Sequence, residues 1–169
     1  MITNKGSQVH IRQGRESDAA SGCEAVKAIA SEEWYLAIVD GFSVEQTRDF
    51  LKRVVDGSLP QVIAVVDDKV VGFCDILPNT AKGFRHVGRL GMGVIVEWRG
   101  QGIGRRMLDA CLSRARIFGI EKVELEVFSD NVAAVRLYDS FGFTQEGLRV
   151  RGRKLEERYQ DVSLMALWL

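Results

Sequence analysis

The sequence predicts a mixed α/β domain, and three observations carry that reading. The apolar pattern is helical early in the chain and two-periodic through its middle, and it then alternates between the two periods. A hairpin signature is followed by strand–helix–strand, which calls for a sheet partly antiparallel and partly parallel. Usage is that of a globular protein, with 46% hydrophobic and 27% charged residues. At 169 residues the chain fits one domain, 1–169.

The elements follow in order. Val9 to Arg12 reads as a short strand. From about Ser17 to Val39 the pattern is helical, with Cys23, Val26, Ala30, Trp34 and Ile38 near one stripe and a break near Ser31. Ser43-Val44-Glu45-Gln46 has the form of a capping box and opens a helix whose apolar stripe is Val44, Thr47, Leu51, Val54 and Val55. Gly57 ends it. Gln61–Val66 and Lys69–Leu77 flank Asp67-Asp68 as a hairpin. Val87–Val96 is the next strand. Gly102–Phe118 is a helix with Ile103, Met107, Leu108, Cys111, Leu112 and Ala115 on one face, closed by Gly119. Lys122–Phe128 alternates as a strand, and Asn131–Phe141 is a short helix ended by Gly142. Two strands, near Phe143–Val150 and Tyr159–Leu167, finish the chain.

Composition excludes several classes. Lys+Arg and Asp+Glu both total 23, and this balance argues against a nucleic-acid or anionic-membrane binder. No apolar run approaches the ~18 residues of a membrane span, and Met1–Gly6 lacks an apolar signal core. Cys23, Cys74 and Cys111 are odd in number and far apart, with only His10 and His86 as histidines. The expectation is no metal site, no disulfide framework, three buried thiols and a cytoplasmic location.

The informative stretch runs from Leu90 to Arg106. Gly91 and Gly93 share a strand face with Arg89 and Ile95, leaving little bulk in its middle. Such a face suits a ligand lying on bare backbone, or a helix crossing closely. Gly100, Gly102 and Gly104 then stand where the strand turns into a helix. The first N–H groups of a helix lack internal partners and its dipole is positive there, so a glycine-rich entry bares them to a phosphate. Arg99, Arg105 and Arg106 add charge. A P-loop would need Gly-Lys-Ser/Thr, and a dinucleotide fingerprint a third glycine that Gly102-Ile103-Gly104-Arg105-Arg106-Met107 lacks.

Arg99-Gly100-Gln101-Gly102-Ile103-Gly104 resembles the [Q/R]-x-x-G-x-[G/A] signature of the GCN5-related N-acetyltransferases (GNAT). Asn131-Val132-Ala133-Ala134-Val135-Arg136-Leu137-Tyr138, followed by Gly142-Phe143, resembles that family's N-x-x-A-x-x-x-Y…G-F segment. The element order fits from about residue 9 to 167, most like bacterial acetyltransferases of small amines and amino acids and those of ribosomal-protein N-termini. The resemblance implies a central twisted mixed sheet of six or seven strands, flanked by about four helices. It implies acetyl-CoA as cosubstrate, in a gap where Val87–Val96 and Lys122–Phe128 splay apart. Backbone groups of Val94, Ile95 and Val96 would then meet the pantetheine arm, although relatives often carry proline where Val96 stands. Gly102, Ile103, Gly104, Arg105, Arg106 and Met107 would hold the pyrophosphate beside Arg99, and Asn131 would touch the cofactor chain. Tyr138 would protonate the leaving thiolate. The implied acceptor is a primary amine of a small molecule (amino acid, polyamine or amine antibiotic), attacking directly in a ternary complex. A protein N-terminus or lysine, a non-catalytic acetyl-CoA sensor and a different nucleotide-binding domain stand as alternatives. Many relatives are homodimers.

The base is open. Some relatives place a glutamate early in the strand before the glycine turn, where this chain has Gly88-Arg89. His86, Glu33, Asp75, Glu124, Glu126 and a water relay are the candidates. Arg149, Arg151, Arg153 and Lys154 read as a solvated turn of mixed charge between the last strands, or as an attractor of acidic substrates. Trp34 and Tyr35 read as acceptor-pocket walls or ordinary core.

Overall fold

The computed structural model describes residues 8–36, 40–57 and 59–169. Among these residues seven strands form one mixed sheet in the order β1-β2-β3-β4-β5-β7-β6, with four α-helices. The elements are β1 (His10–Arg12), α1 (Ala19–Ala30), α2 (Val44–Val55), β2 (Gln61–Val66), β3 (Lys69–Pro78), β4 (Val87–Val94), α3 (Ile103–Phe118), β5 (Lys122–Phe128), α4 (Val132–Asp139), β6 (Thr144–Leu155) and β7 (Arg158–Trp168). The β4–β5 ladder is parallel and registers three pairs, from Val87↔Lys122 to Arg89↔Glu124. The chain divides into two compact units, residues 1–77 with 91–118, and residues 78–90 with 119–169.

In the first unit local chemistry sets the element ends. Ser43 Oγ accepts from the Gln46 N–H at 3.1 Å and Gln46 Oε1 accepts from the Ser43 N–H at 2.8 Å, the reciprocal capping box its spacing predicts. Asp67 and Asp68 take φ of +46° and +60°, the left-handed pair that a two-residue hairpin turn requires. All six residues of β2 are buried. A Cβ on Gly72 would meet Met107 Cε at 2.9 Å, so α3 packs closely on that face of β3. One on Gly93 would meet Ile29 Cδ1 at 3.0 Å and Phe73 Cε1 at 3.1 Å, so α1 covers the other face. Cys23, Cys74 and Cys111 are buried thiols of this core, as expected; Cys111 Sγ lies 3.5 Å from the Cys74 carbonyl oxygen.

The predicted helix over Ser17–Val39 is shorter than its apolar pattern. It ends at the break, with Ser31 as C-cap, and Glu33 at φ +54° belongs to the turns that follow. Trp34 is not helical, and Ile38 and Val39 lie outside the described residues.

Arg12 grips Asp18 with two bonds of 2.7 and 2.8 Å, and the Arg15 N–H adds a third at 2.7 Å. These hold the Asp18 carboxyl below its ordinary 3.8, the Arg12 hydrogen bond most of all, against the opposing effect of burial. Its contribution is full above the unfolded value and disappears as pH falls through the lower folded one. Asp18→Ala is therefore expected to lower stability by about 1–3 kcal/mol at pH 7. In urea titrations the gap from wild type should shrink below pH ~4; an equal gap at pH 7 and pH 3 would refute the ionic origin.

In the second unit β5 pairs with β7 from Lys122↔Trp168 to Phe128↔Val162, and β7 pairs with β6 as a long hairpin. Val123, Leu125, Val127, Phe143, Met165 and Ala166 are buried. The basic run lies inside β6, which extends to Leu155, and not in a turn; the turn is Glu156-Glu157 alone. Arg149 pairs with Glu126 at 3.0 Å, Arg153 donates to Gln160 at 2.6 Å, and Arg151 and Lys154 lie over the Tyr159 ring. An irregularity between Arg149 and Arg153, with Arg151 at φ +52°, breaks the alternation.

Candidate active site

The first unit presents a strand end, a glycine turn and a helix start in succession. β4 ends at Val94, and the Ile95 N–H donates to the Val71 carbonyl of β3 at 2.9 Å. Strand alternation therefore aims the Val94 N–H off β3. Ile95 O accepts from the Trp98 N–H and Val96 O from the Arg99 N–H, closing a short 3₁₀ turn. Val96 is 55% exposed.

Gly100 and Gly102 follow with φ of +72° and +74°, and a Cβ at either would meet nothing within 4 Å. The turn is thus a left-handed conformation beside open space. The first internal bond of α3 runs from the Arg106 N–H to the Gly102 carbonyl at 3.2 Å, so the N–H groups of Ile103 and Gly104 precede the helix's own hydrogen bonds. Ile103 and Met107 are buried, so only their backbones can serve a ligand there, whereas Arg105 is exposed. Arg106 donates to the Val9 carbonyl at 3.3 Å.

Arg99 does something its sequence context did not reveal. Its Nε donates to the Val94 carbonyl at 2.8 Å, its two other nitrogens grip both oxygens of Glu32, and the guanidinium lies 4.5 Å over the Tyr35 ring. It ties the strand end to the segment after α1 and shapes the turn. Glu32 was not foreseen, because the pair spans 67 residues of sequence.

The glycine face of β4 is closed at Gly93 by Ile29 and Phe73; the close helix crossing, and not a ligand on bare backbone, explains that residue. At Gly91 the neighbour is a carboxylate: a Cβ there would lie 3.4 Å from Asp75 Oδ1. Asp75 keeps part of its surface open, yet protein packs round its carboxyl, and this loss of solvation pushes its pKa up to about 7.

The second unit holds the other expected residues. Asn131 caps α4, its Oδ1 accepting from the Ala134 N–H at 3.2 Å. Tyr138 is 8% exposed and packs its ring against Phe143 at 5.6 Å between centroids. Glu124 pairs with Lys122 at 2.9 Å; Glu126 pairs with Arg89 at 3.2 Å and with Arg149. His86 stacks on Trp168. Among the described residues no group of three His, Cys, Asp or Glu side chains can hold a metal ion, and no helix is long and apolar enough to cross a membrane.

A seven-stranded mixed sheet with four helices and a glycine turn leading into the longest of them defines the class. Residues 23–143 match the Acetyltransferase (GNAT) family, and the chain belongs to that family of acyltransferase enzymes. Among individual relatives, the L-amino acid N-acetyltransferase AaaT of Escherichia coli is 30% identical over 112 residues, covering 64% of this chain and 67% of that protein. A GNAT-family acetyltransferase of Streptococcus pneumoniae superposes with a TM-score of 0.89 at 27% identity, covering 96% of this chain and all of the other. A phosphinothricin acetyltransferase of Sinorhizobium meliloti, solved with acetyl-CoA, superposes with a TM-score of 0.87 over 95% of this chain and 88% of its own; at 18% identity that likeness is one of fold.

Proposed function

We propose that the chain transfers the acetyl group of acetyl-CoA to a primary amine of a small molecule (an amino acid, a polyamine or an amine antibiotic) by direct attack in a ternary complex. The observation that carries this is the left-handed glycine turn at Gly100 and Gly102, open to solvent and leading straight into the first N–H groups of α3. Backbone donors fixed by a turn and a helix dipole receive a pyrophosphate without a lysine. The small-amine acceptor has support in the amino-acid acetyltransferase among the relatives.

In this reading the cosubstrate supplies an activated acyl carbon. The chain's own residues do the rest. Gly102, Ile103, Gly104 and Arg105 hold the diphosphate by their N–H groups, with the backbones of Arg106 and Met107 continuing the turn. Arg99 keeps the strand end in place through Val94 and Glu32. The Val94 N–H, aimed off β3, donates to the thioester oxygen as charge develops on it. Val96, at the start of the 3₁₀ turn, borders the pantetheine path. Asn131 holds the start of α4 and thereby Tyr138, whose hydroxyl gives the departing sulfur its proton. Tyr138→Phe is expected to lower kcat by about 10²-fold and to leave acetyl-CoA affinity within about threefold, because the ring keeps its packing on Phe143. Unchanged turnover would remove Tyr138 as the acid.

The reading is tested by thiol release from acetyl-CoA against amino acids, polyamines, aminoglycosides and short peptides. Release with a small amine is expected. Release only with peptides moves the acceptor to protein amines, and acetyl-CoA binding without release under any condition leaves a sensor domain in place of an enzyme.

A further inference from the structure

Asp75 differs from every other carboxylate considered for the base. Glu124 and Glu126 are engaged by Lys122, Arg89 and Arg149, and exposed Glu33 stands in the turns after α1. The Asp75 carboxylate has no ion pair or hydrogen bond among the described residues. Its cross-strand neighbours are neutral, Gln61 as its partner on β2 and Gly91 on β4. From α1 the residues laid on this face are Ala25 and Ile29, while that helix's charges, Glu24 and Lys27, are exposed. On the opposite side of β3 the thiol of Cys74 is held neutral, its pKa pushed well up by burial. No charged group therefore accounts for the carboxyl's raised value; desolvation alone does.

The carboxylate lies against a bare position of β4. With Gly93 filled by Ile29 and Phe73, the side-chain-free site left on this face of β4 is Gly91, and Asp75 Oδ1 lies 3.4 Å from where its Cβ would be. A Cβ at 91 would lie in van der Waals contact with the carboxylate and cover it on that side. From Gly91 the strand runs three residues to Val94, about 10 Å. Two hydrogen bonds of ~2.8 Å, carboxylate to water and water to amine nitrogen, reach about 5.6 Å of it, and the acetyl carbonyl that the nitrogen attacks lies in the remainder, toward the Val94 N–H.

We propose that Asp75 is the general base of acetyl transfer, taking the proton of the acceptor's ammonium through one water beside Gly91. This rests on the acetyl-transfer reading above. The acceptor R–NH3⁺ gives one proton to the Asp75 carboxylate. The freed lone pair forms the N–C bond, and the C–S bond breaks with its electrons going to sulfur. The nitrogen's second departing proton goes to the thiolate, by way of Tyr138. The products are the amide, CoA thiol and a protonated Asp75, which returns its proton to solvent. A base with a pKa near the working pH combines a populated basic form with useful strength.

The test is kcat/KM for the best small amine between pH 5 and 10, in wild type, Asp75→Asn and Asp75→Glu. Wild type should rise with pH and level off above about 7, well below the ~10 of an alkyl ammonium. Asp75→Asn should lose about 10²-fold or more in kcat, with acetyl-CoA affinity by calorimetry within about threefold and the bend near 7 gone. Asp75→Glu should restore part of the rate and a bend. Wild-type turnover matched by Asp75→Asn, or a bend near 7 that survives in it, overturns the proposal alone. No release by wild type with any amine overturns the acetyl-transfer reading and the proposal with it. Should Asp75→Asn not fold, a wild-type profile without a bend near 7 refutes the assignment.

Discussion

Gly102→Asn is expected to bind acetyl-CoA at least about 30-fold more weakly while folding normally. Asparagine tolerates the left-handed region better than other residues with a Cβ, so the backbone at φ +74° is kept at little strain. The new side chain meets no protein atom within 4 Å of its Cβ, so it disturbs no packing. The open space it enters is the one assigned to a phosphate. Losing one or two charge-assisted bonds, at about 1.5–3 kcal/mol each, gives a loss of that size or more. Gly57 supplies a matched control, with φ +75° and equally open surroundings at the end of α2. Gly57→Asn should show the same small change in melting temperature and no change in affinity. Calorimetry with acetyl-CoA on both variants decides it. Equal affinities in both would mean that the turn does not hold the phosphate.

What the sequence made legible is what local chemistry determines. The Ser43–Gln46 box, the Asp67-Asp68 turn, the glycine that ends α2 and the apolar stripe of α3 each act within a few residues, and each stands where its pattern puts it. The glycine turn was legible for the same reason. The helix after Ser17 was overextended because Trp34 falls on the apolar stripe although the backbone has already turned at Ser31. The second half of β6 looked like a turn because nearly all of the strand is exposed, so no buried face imposes alternation on Arg149–Lys154. Gly91 and Gly93 read alike in sequence but have opposite surroundings, one beside a carboxylate and one under a helix. Only tertiary structure separates them. The same holds for Arg99, whose partner Glu32 lies far away in the chain, and for Asp75, whose distinction is the charge partner it lacks.

That missing partner has a thermodynamic consequence, and Asp75→Asn is expected to be more stable than wild type above pH 7. The carboxyl titrates at about 7 in the folded chain and at the ordinary 3.8 when unfolded. Between those values the folded state keeps a proton that the unfolded state has released, so stability falls as pH rises from about 4 to 7 and then stays flat. The amide removes this penalty. At about 1.4 kcal/mol for each tenfold change in proton affinity, the full penalty would be about 4–5 kcal/mol. The part of Asp75 that stays open to solvent brings the expected gain to the order of 2 kcal/mol, about 4–8 °C in Tm for a chain of this size. Toward pH 4 the unfolded state takes up the proton as well, and the gap between the two proteins should shrink to a small fraction of its value at high pH. Thermal melts at pH 4 and pH 8 read the difference directly. A carboxylate kept for structure behaves the opposite way: its removal destabilises, as for Asp18, where Arg12 and the Arg15 N–H stabilise the charge. A variant that loses turnover and gains stability together marks a group held at the fold's expense for its chemistry. Asp75→Asn less stable than wild type at both pH values would place Asp75 with Asp18, among the residues that hold the fold together.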